Sequence, residues 1–136
     1  MKAEVRRAFF AITITTVLTT TSFAQSARLS AEIPFDFNVG DVAMSSGNYT
    51  VKALSQTTLL VKSNDSGRSV VSISDAATTP QDLKKAQLVF NRYGDRYFLS
   101  AVDWSRGMSR ELPLTKLERQ AARKTGSRQR IEVSVR

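Results

Sequence analysis

Histidine and cysteine are both absent from this 136-residue chain, and the two gaps remove most of the common chemistry of protein sites. Zinc, copper and haem centres lean on imidazole and thiolate ligands, so no metal and no cofactor is expected. A Ser-His-Asp or Cys-His nucleophile cannot be built from these residues. Any catalysis would have to rest on carboxylates, lysine, tyrosine or serine. Without cysteine there is no disulfide to staple the fold and no thiol to carry a lipid.

Acidic side chains are scarce as well. Lys and Arg number 20 against 12 Asp and Glu, for a net charge of +8. The excess is local: residues 25–108 hold 9 basic and 8 acidic groups, whereas residues 109–136 hold 8 and 3. A basic closing segment points to anionic lipid, lipopolysaccharide or acidic glycan as a partner, set against the plainer role of a solvated, solubilising surface. A long uninterrupted apolar run is also missing. The nearest approach, over 8–18, is broken by Thr13, Thr15 and Thr16, while a spanning helix needs about 20 predominantly apolar residues.

That short run has a different reading. Lys2, Arg6 and Arg7 form a basic head before it, and Ser22-Phe23-Ala24 places small residues just ahead of Gln25. This is the three-part layout of a secretory signal peptide, with cleavage expected between Ala24 and Gln25. The expectation is therefore a leader over 1–24 and one β-rich domain over 25–136. The mature protein would be periplasmic or extracellular, without a transmembrane span and away from nucleic acid.

Alternation dominates the domain. Ile33, Phe35, Phe37 and Val39 fall on one face and Pro34, Asp36 and Asn38 on the other, the period of a half-buried strand. Pro34 cannot donate to a ladder, which favours a strand edge or start. Further strands are expected over 49–54, 58–63, 69–74 and 131–135, with 75–82 as a polar connection. A hairpin spans 87–104, turning on Gly94-Asp95, a two-residue loop with glycine first. The turn sets Phe90 opposite Leu99, Leu88 opposite Ala101 and Arg92 opposite Tyr97; on the other face it pairs Asn91 with Phe98, Val89 with Ser100 and Gln87 with Val102. Residues 114–124 change to helical spacing, with Thr115 and Glu118 as a capping box and Gly126 as the stop. Leu114, Leu117 and Ala121 give only a narrow apolar stripe, so the helix belongs on the surface. The fold class is all-β: an antiparallel sandwich or small barrel of about seven short strands with one C-terminal surface helix at about 114–125 and a closing strand at about 130–135.

Three constellations carry candidate chemistry. Arg92, Tyr93, Arg96 and Tyr97, with Trp104, offer the aromatic and cationic groups that grip sugars and small polar ligands, although cross-strand pairs of this kind also simply stabilise hairpins. Lys116, Arg119 and Arg123 share a helix face, with Arg128 and Arg130 following, which suits contact with an anionic surface. A carboxylate-dependent hydrolase would need two of Asp36, Asp95, Asp103 and Glu111 in one cleft. The run Asn64-Asp65-Ser66-Gly67 is too short for a calcium loop.

Several segments resemble a known group. Ile33-Pro34-Phe35-Asp36-Phe37 with Val39-Gly40-Asp41, then Ser46-Gly47-Asn48-Tyr49-Thr50-Val51, is similar to the opening of a family of small exported proteins of soil acidobacteria. Leu88 to Ser100 resembles its central segment, and Arg110-Glu111-Leu112-Pro113 with Glu118-Arg119 its closing one. Members more often carry His where this chain has Asn91, and Trp nearer than Trp104 stands here; the first departure weakens any acid–base role at position 91. The family has no assigned activity, so the resemblance implies export and a compact β domain, with no mechanism attached. The expected function is a non-enzymatic, envelope-associated binding or structural module. The alternatives are a small-molecule or glycan binder using the Arg92, Tyr93, Tyr97 and Trp104 patch, and the hydrolase.

Overall fold

A computed structural model describes residues 28–78, 85–104 and 108–135. The expected leader, with Ala24 and Gln25, lies outside the described residues. Among the described residues eleven strands form two sheets, accompanied by one helix near the C-terminus. β1 (Arg28–Ile33), β4 (Gly47–Ala53), β5 (Thr58–Ser63) and β6 (Ser69–Ile73) make the first sheet, all antiparallel, in the order β1-β4-β5-β6. The second contains β7 (Asp75–Thr78), β8 (Gln87–Tyr93), β9 (Arg96–Asp103), β10 (Met108–Glu111) and β11 (Gln129–Ser134), ordered β11-β8-β9-β10-β7. Two short strands, β2 (Phe37–Val39) and β3 (Val42–Met44), pair with each other, and Asn38 of β2 joins Phe98 of β9 in parallel.

The two sheets close on one core, as an all-β sandwich requires. Alternate residues Leu29, Ala31 and Ile33 of β1, Tyr49 and Val51 of β4, and Leu59 and Val61 of β5 point inward from the first sheet. Leu88, Phe90, Leu99, Val102 and Trp104 meet them from the second. The rings of Phe35 and Phe37 both meet Phe90 edge-on, at 5.0 and 5.4 Å between centroids. β8 is buried on both faces, because α1 (Lys116–Thr125) covers its other side. There Leu117, Ala121 and Ala122 pack on Tyr93 and Phe98.

Four sequence expectations change. Among the described residues the strands number eleven rather than about seven. The alternating run 33–39 is two strands, since β1 ends at Ile33 and β2 begins at Phe37. Pro34 supplies no N–H there, and the Asp36 carboxylate accepts the Ser46 N–H at 2.8 Å as the chain crosses between sheets. Its inward–outward alternation survives the crossing, which is why the pattern reads as one strand. Residues 75–78 are a strand rather than a polar connection: main-chain pairing of Ala76 and Ala77 with Arg110 and Ser109 needs no apolar period.

The hairpin keeps the turn-set register only as far as Phe90 opposite Leu99. A bulge then places Val89 opposite Ala101, Leu88 opposite Val102 and Gln87 opposite Asp103. One extra residue moves everything beyond it to the other face. Val102 thereby enters the core with no exposed surface, where the unbulged register would have sent Ala101.

Candidate functional site

The helix is docked by a buried carboxylate as well as by its apolar stripe. Thr115 caps it, its hydroxyl accepting the Glu118 N–H at 3.4 Å, and Gly126 ends it with φ 71° and an N–H donated to Ala122 O. The Glu118 side chain does not return to the cap, so the expected reciprocal half of the capping box is absent. It turns inward instead and is 4% exposed. Asn91 Nδ2 donates to its Oε1 at 2.9 Å and the Tyr93 hydroxyl at 3.1 Å. Its place in the first helical turn adds the favourable dipole. Burial, reinforced by the Glu118 charge, raises the Tyr93 hydroxyl above its ordinary range.

Turning Glu118 inward leaves the opposite side of α1 without an acid. Lys116, Arg119 and Arg123 are all exposed there and wall a shallow cleft with Gln120. Among the described residues none of the three has an ion-pair partner; the pair that does form is Arg130 with Glu132, at 3.1 Å. Arg128 is exposed near the Tyr93 hydroxyl. Of the five expected surface cations, three therefore share one face of α1, with Asp41 bordering the cleft beside Lys116, Arg128 lies near the Tyr93 hydroxyl, and Arg130 is locally neutralised.

The five-residue ligand patch is divided. Arg92 and Tyr97 share one face of the hairpin, the guanidinium 5.4 Å from the ring centroid, while Arg92 Nε donates to Gly94 O at 2.6 Å. Tyr97 also stacks on Phe35 at 3.8 Å. Tyr93 is buried on the opposite face under α1, where Arg96 lies 5.6 Å over Phe98. Trp104 is buried in the main core beyond the far end of β9.

Arg96 and Tyr97 do meet other polar groups. They line an open cleft of about 310 Å³ with Asp36, Asn38, Arg68 and Asp95. Two of the four candidate carboxylates, Asp36 and Asp95, thus share one cleft, and both are exposed. Asp103 is 2% exposed and accepts from Gln87 Nε2 and Ser109 Oγ at 3.0 and 2.6 Å, a structural role. Glu111 is exposed on β10. Sequence reading missed Arg68, because the turn after β5 reaches the β2 region only through long-range pairing. It also missed a cleft of about 250 Å³ near Trp104, walled by Ala53, Ala76, Ala77, Met108 and Arg110. Among the described residues Trp104 Nε1 and Arg110 Nη1 are buried without hydrogen-bond partners.

Among the described residues no three His, Cys, Asp or Glu side chains are grouped to hold a metal ion, and no helix is long and apolar enough to cross a membrane. No protein-family model, curated protein or solved structure matches the chain.

Proposed function

We propose that this chain is an exported, non-enzymatic β domain that adheres to an anionic envelope surface through the outer face of α1. The observation that carries the reading is the inward turn of Glu118, which leaves Lys116, Arg119 and Arg123 facing solvent with no acid of α1 beside them, Asp41 bordering the cleft at the Lys116 end. Positions i, i+3 and i+7 on a helix span about 10 Å, enough to meet several phosphate or carboxylate groups at once. Each basic side chain near an anionic membrane surface contributes about 1 kcal/mol. The helix presents no bulky apolar face outward, so contact is electrostatic and does not depend on insertion. The basic head, short apolar run and small residues before Gln25 support export, and the resemblance to small exported proteins agrees with them.

Co-sedimentation with vesicles containing phosphatidylglycerol, with lipopolysaccharide and with an acidic polysaccharide tests the proposal. Retention should fall steeply between low and high salt, because the interaction fades over a Debye length of about 8 Å at physiological ionic strength. Reversing Arg119 and Arg123 to glutamate should weaken binding at least tenfold. Binding that ignores salt, or none at any salt, rejects the reading.

A second reading is favoured by the cleft at Tyr97. Its aromatic ring, two guanidinium groups and two carboxylates suit a glycan or another polyhydroxylated small molecule. A glycan array with Tyr97→Ala and Arg96→Ala variants tests it, and hits that neither variant weakens count against it. The hydrolase reading has less support, since Asp36 and Asp95 both stand open to solvent and nothing around them excludes water.

A further inference from the structure

One edge of the first sheet is unlike the others. β6 reads Ser-Val-Val-Ser-Ile and carries no charged residue, whereas edge strand β1 carries Arg28 and Glu32, and β11 carries Arg130 and Glu132. Charges of that kind are what usually keep open edges from pairing. Val71 and Ile73 are 60% and 69% exposed.

Among the described residues the main chain of this edge is also open in a regular way. Ser63 N–H donates to Arg68 O and Ser74 N–H to Thr57 O. With the register running from Thr58 opposite Ile73 to Lys62 opposite Ser69, positions 68, 70, 72 and 74 exchange hydrogen bonds with β5. The N–H and C=O groups of Ser69, Val71 and Ile73 are therefore turned outward. One of these carbonyls, that of Ile73, takes a local bond from Ser72 Oγ at 3.1 Å.

We propose that β6 pairs with β6 of a second copy, antiparallel and centred on Val71, fusing two four-stranded sheets into one. In that register Val71 faces its own counterpart, and Ser69 faces the second copy's Ile73. All three outward-turned positions then become hydrogen-bonded pairs. An identical strand fits because the three positions are symmetric about Val71, so a two-fold axis maps the edge onto itself. Charge favours the same contact. Copies whose residues 25–136 hold 17 basic and 11 acidic groups repel least across a strand without charge, and Arg68 at one end comes level with the second copy's Ser74 and Asp75 at the other.

The symmetry has a consequence that rests on the proposed function. The two-fold axis of an antiparallel pair stands perpendicular to the sheet, so both second sheets lie on one side of the fused layer. Each α1 packs on the far face of its own second sheet, so both basic faces look in the same direction. A dimer would meet a flat anionic surface with two contacts, and linked contacts can raise avidity 10²–10⁴-fold.

The absence of cysteine makes the test clean. Protein recovered from cells expressing the full chain should sediment as a dimer at micromolar concentration. Val71→Cys should crosslink to itself on mild oxidation, since hydrogen-bonded antiparallel pairs hold Cα atoms about 5.5 Å apart, within disulfide reach; Val42→Cys, on β3, should not. Val71→Lys with Ile73→Lys, both at exposed positions, should give a monomer with an unchanged circular-dichroism spectrum. A monomer up to about 0.5 mM, or equal crosslinking at 42 and 71, overturns the proposal. No anionic surface enters these measurements, so a dimer that fails to adhere removes only the proposed function, and an adhering monomer removes only this inference.

Discussion

Replacing Glu118 by alanine isolates the contact that docks α1. The change strips the acceptor from two buried donors, Asn91 Nδ2 and the Tyr93 hydroxyl, held at 2.9 and 3.1 Å. Each buried donor left unpaired costs about 1–3 kcal/mol. Part of that is offset, because the variant no longer desolvates a carboxylate and alanine favours the helix by a few tenths of a kcal/mol. The net expectation is a loss of about 2–4 kcal/mol, against a total of about 5–15 kcal/mol for a domain. Urea denaturation followed by circular dichroism reads this as a midpoint lowered by about 1–3 M at unchanged slope. Glu118→Gln keeps the length and an acceptor oxygen, so it should lose only about 1 kcal/mol. A Glu118→Ala midpoint within about 0.3 M of the parent would mean that the helix is not held through this carboxylate, and the account of its basic outer face would fall with it.

Three further outcomes follow from the same geometry. Tyr93 and Tyr49 both hold their protons above the ordinary tyrosine range, chiefly because they are buried. The folded state therefore keeps protons that the unfolded chain releases, so stability is full below about pH 10 and falls as pH rises past it; urea midpoints between about pH 9 and 11 should drop, less so in Tyr93→Phe, and a flat profile contradicts this. Gly126→Ala forces a left-handed residue, φ 71°, into open space and should cost about 1 kcal/mol. Gly47→Ala should cost more, about 2–3 kcal/mol, because at φ 150° its Cβ would stand 2.5 Å from the Asp65 oxygen that accepts the Asn48 N–H; thermal melts of the two variants side by side decide the order.

Local chemistry made parts of this fold readable. The loop at Gly94-Asp95 determines which residues face each other as far as Phe90 and Leu99, and Thr115 and Gly126 bracket a helix because capping uses neighbours in sequence. The bulge between Val89 and Phe90 left no comparable trace. Ser100 and Ala101 have nothing in their side chains to mark an extra residue, and the bulge exists because Val102 and Trp104 are more stable in the core than Ala101 and Asp103 would be. That comparison needs the opposite sheet. The same reason separates the two readings of the basic segment. Lys116, Arg119 and Arg123 could be seen to share a face from spacing alone. Whether the face is positive depended on Glu118, whose partners Asn91 and Tyr93 lie far away along the chain. Spacing names the residues on a surface, and long-range packing decides their net charge.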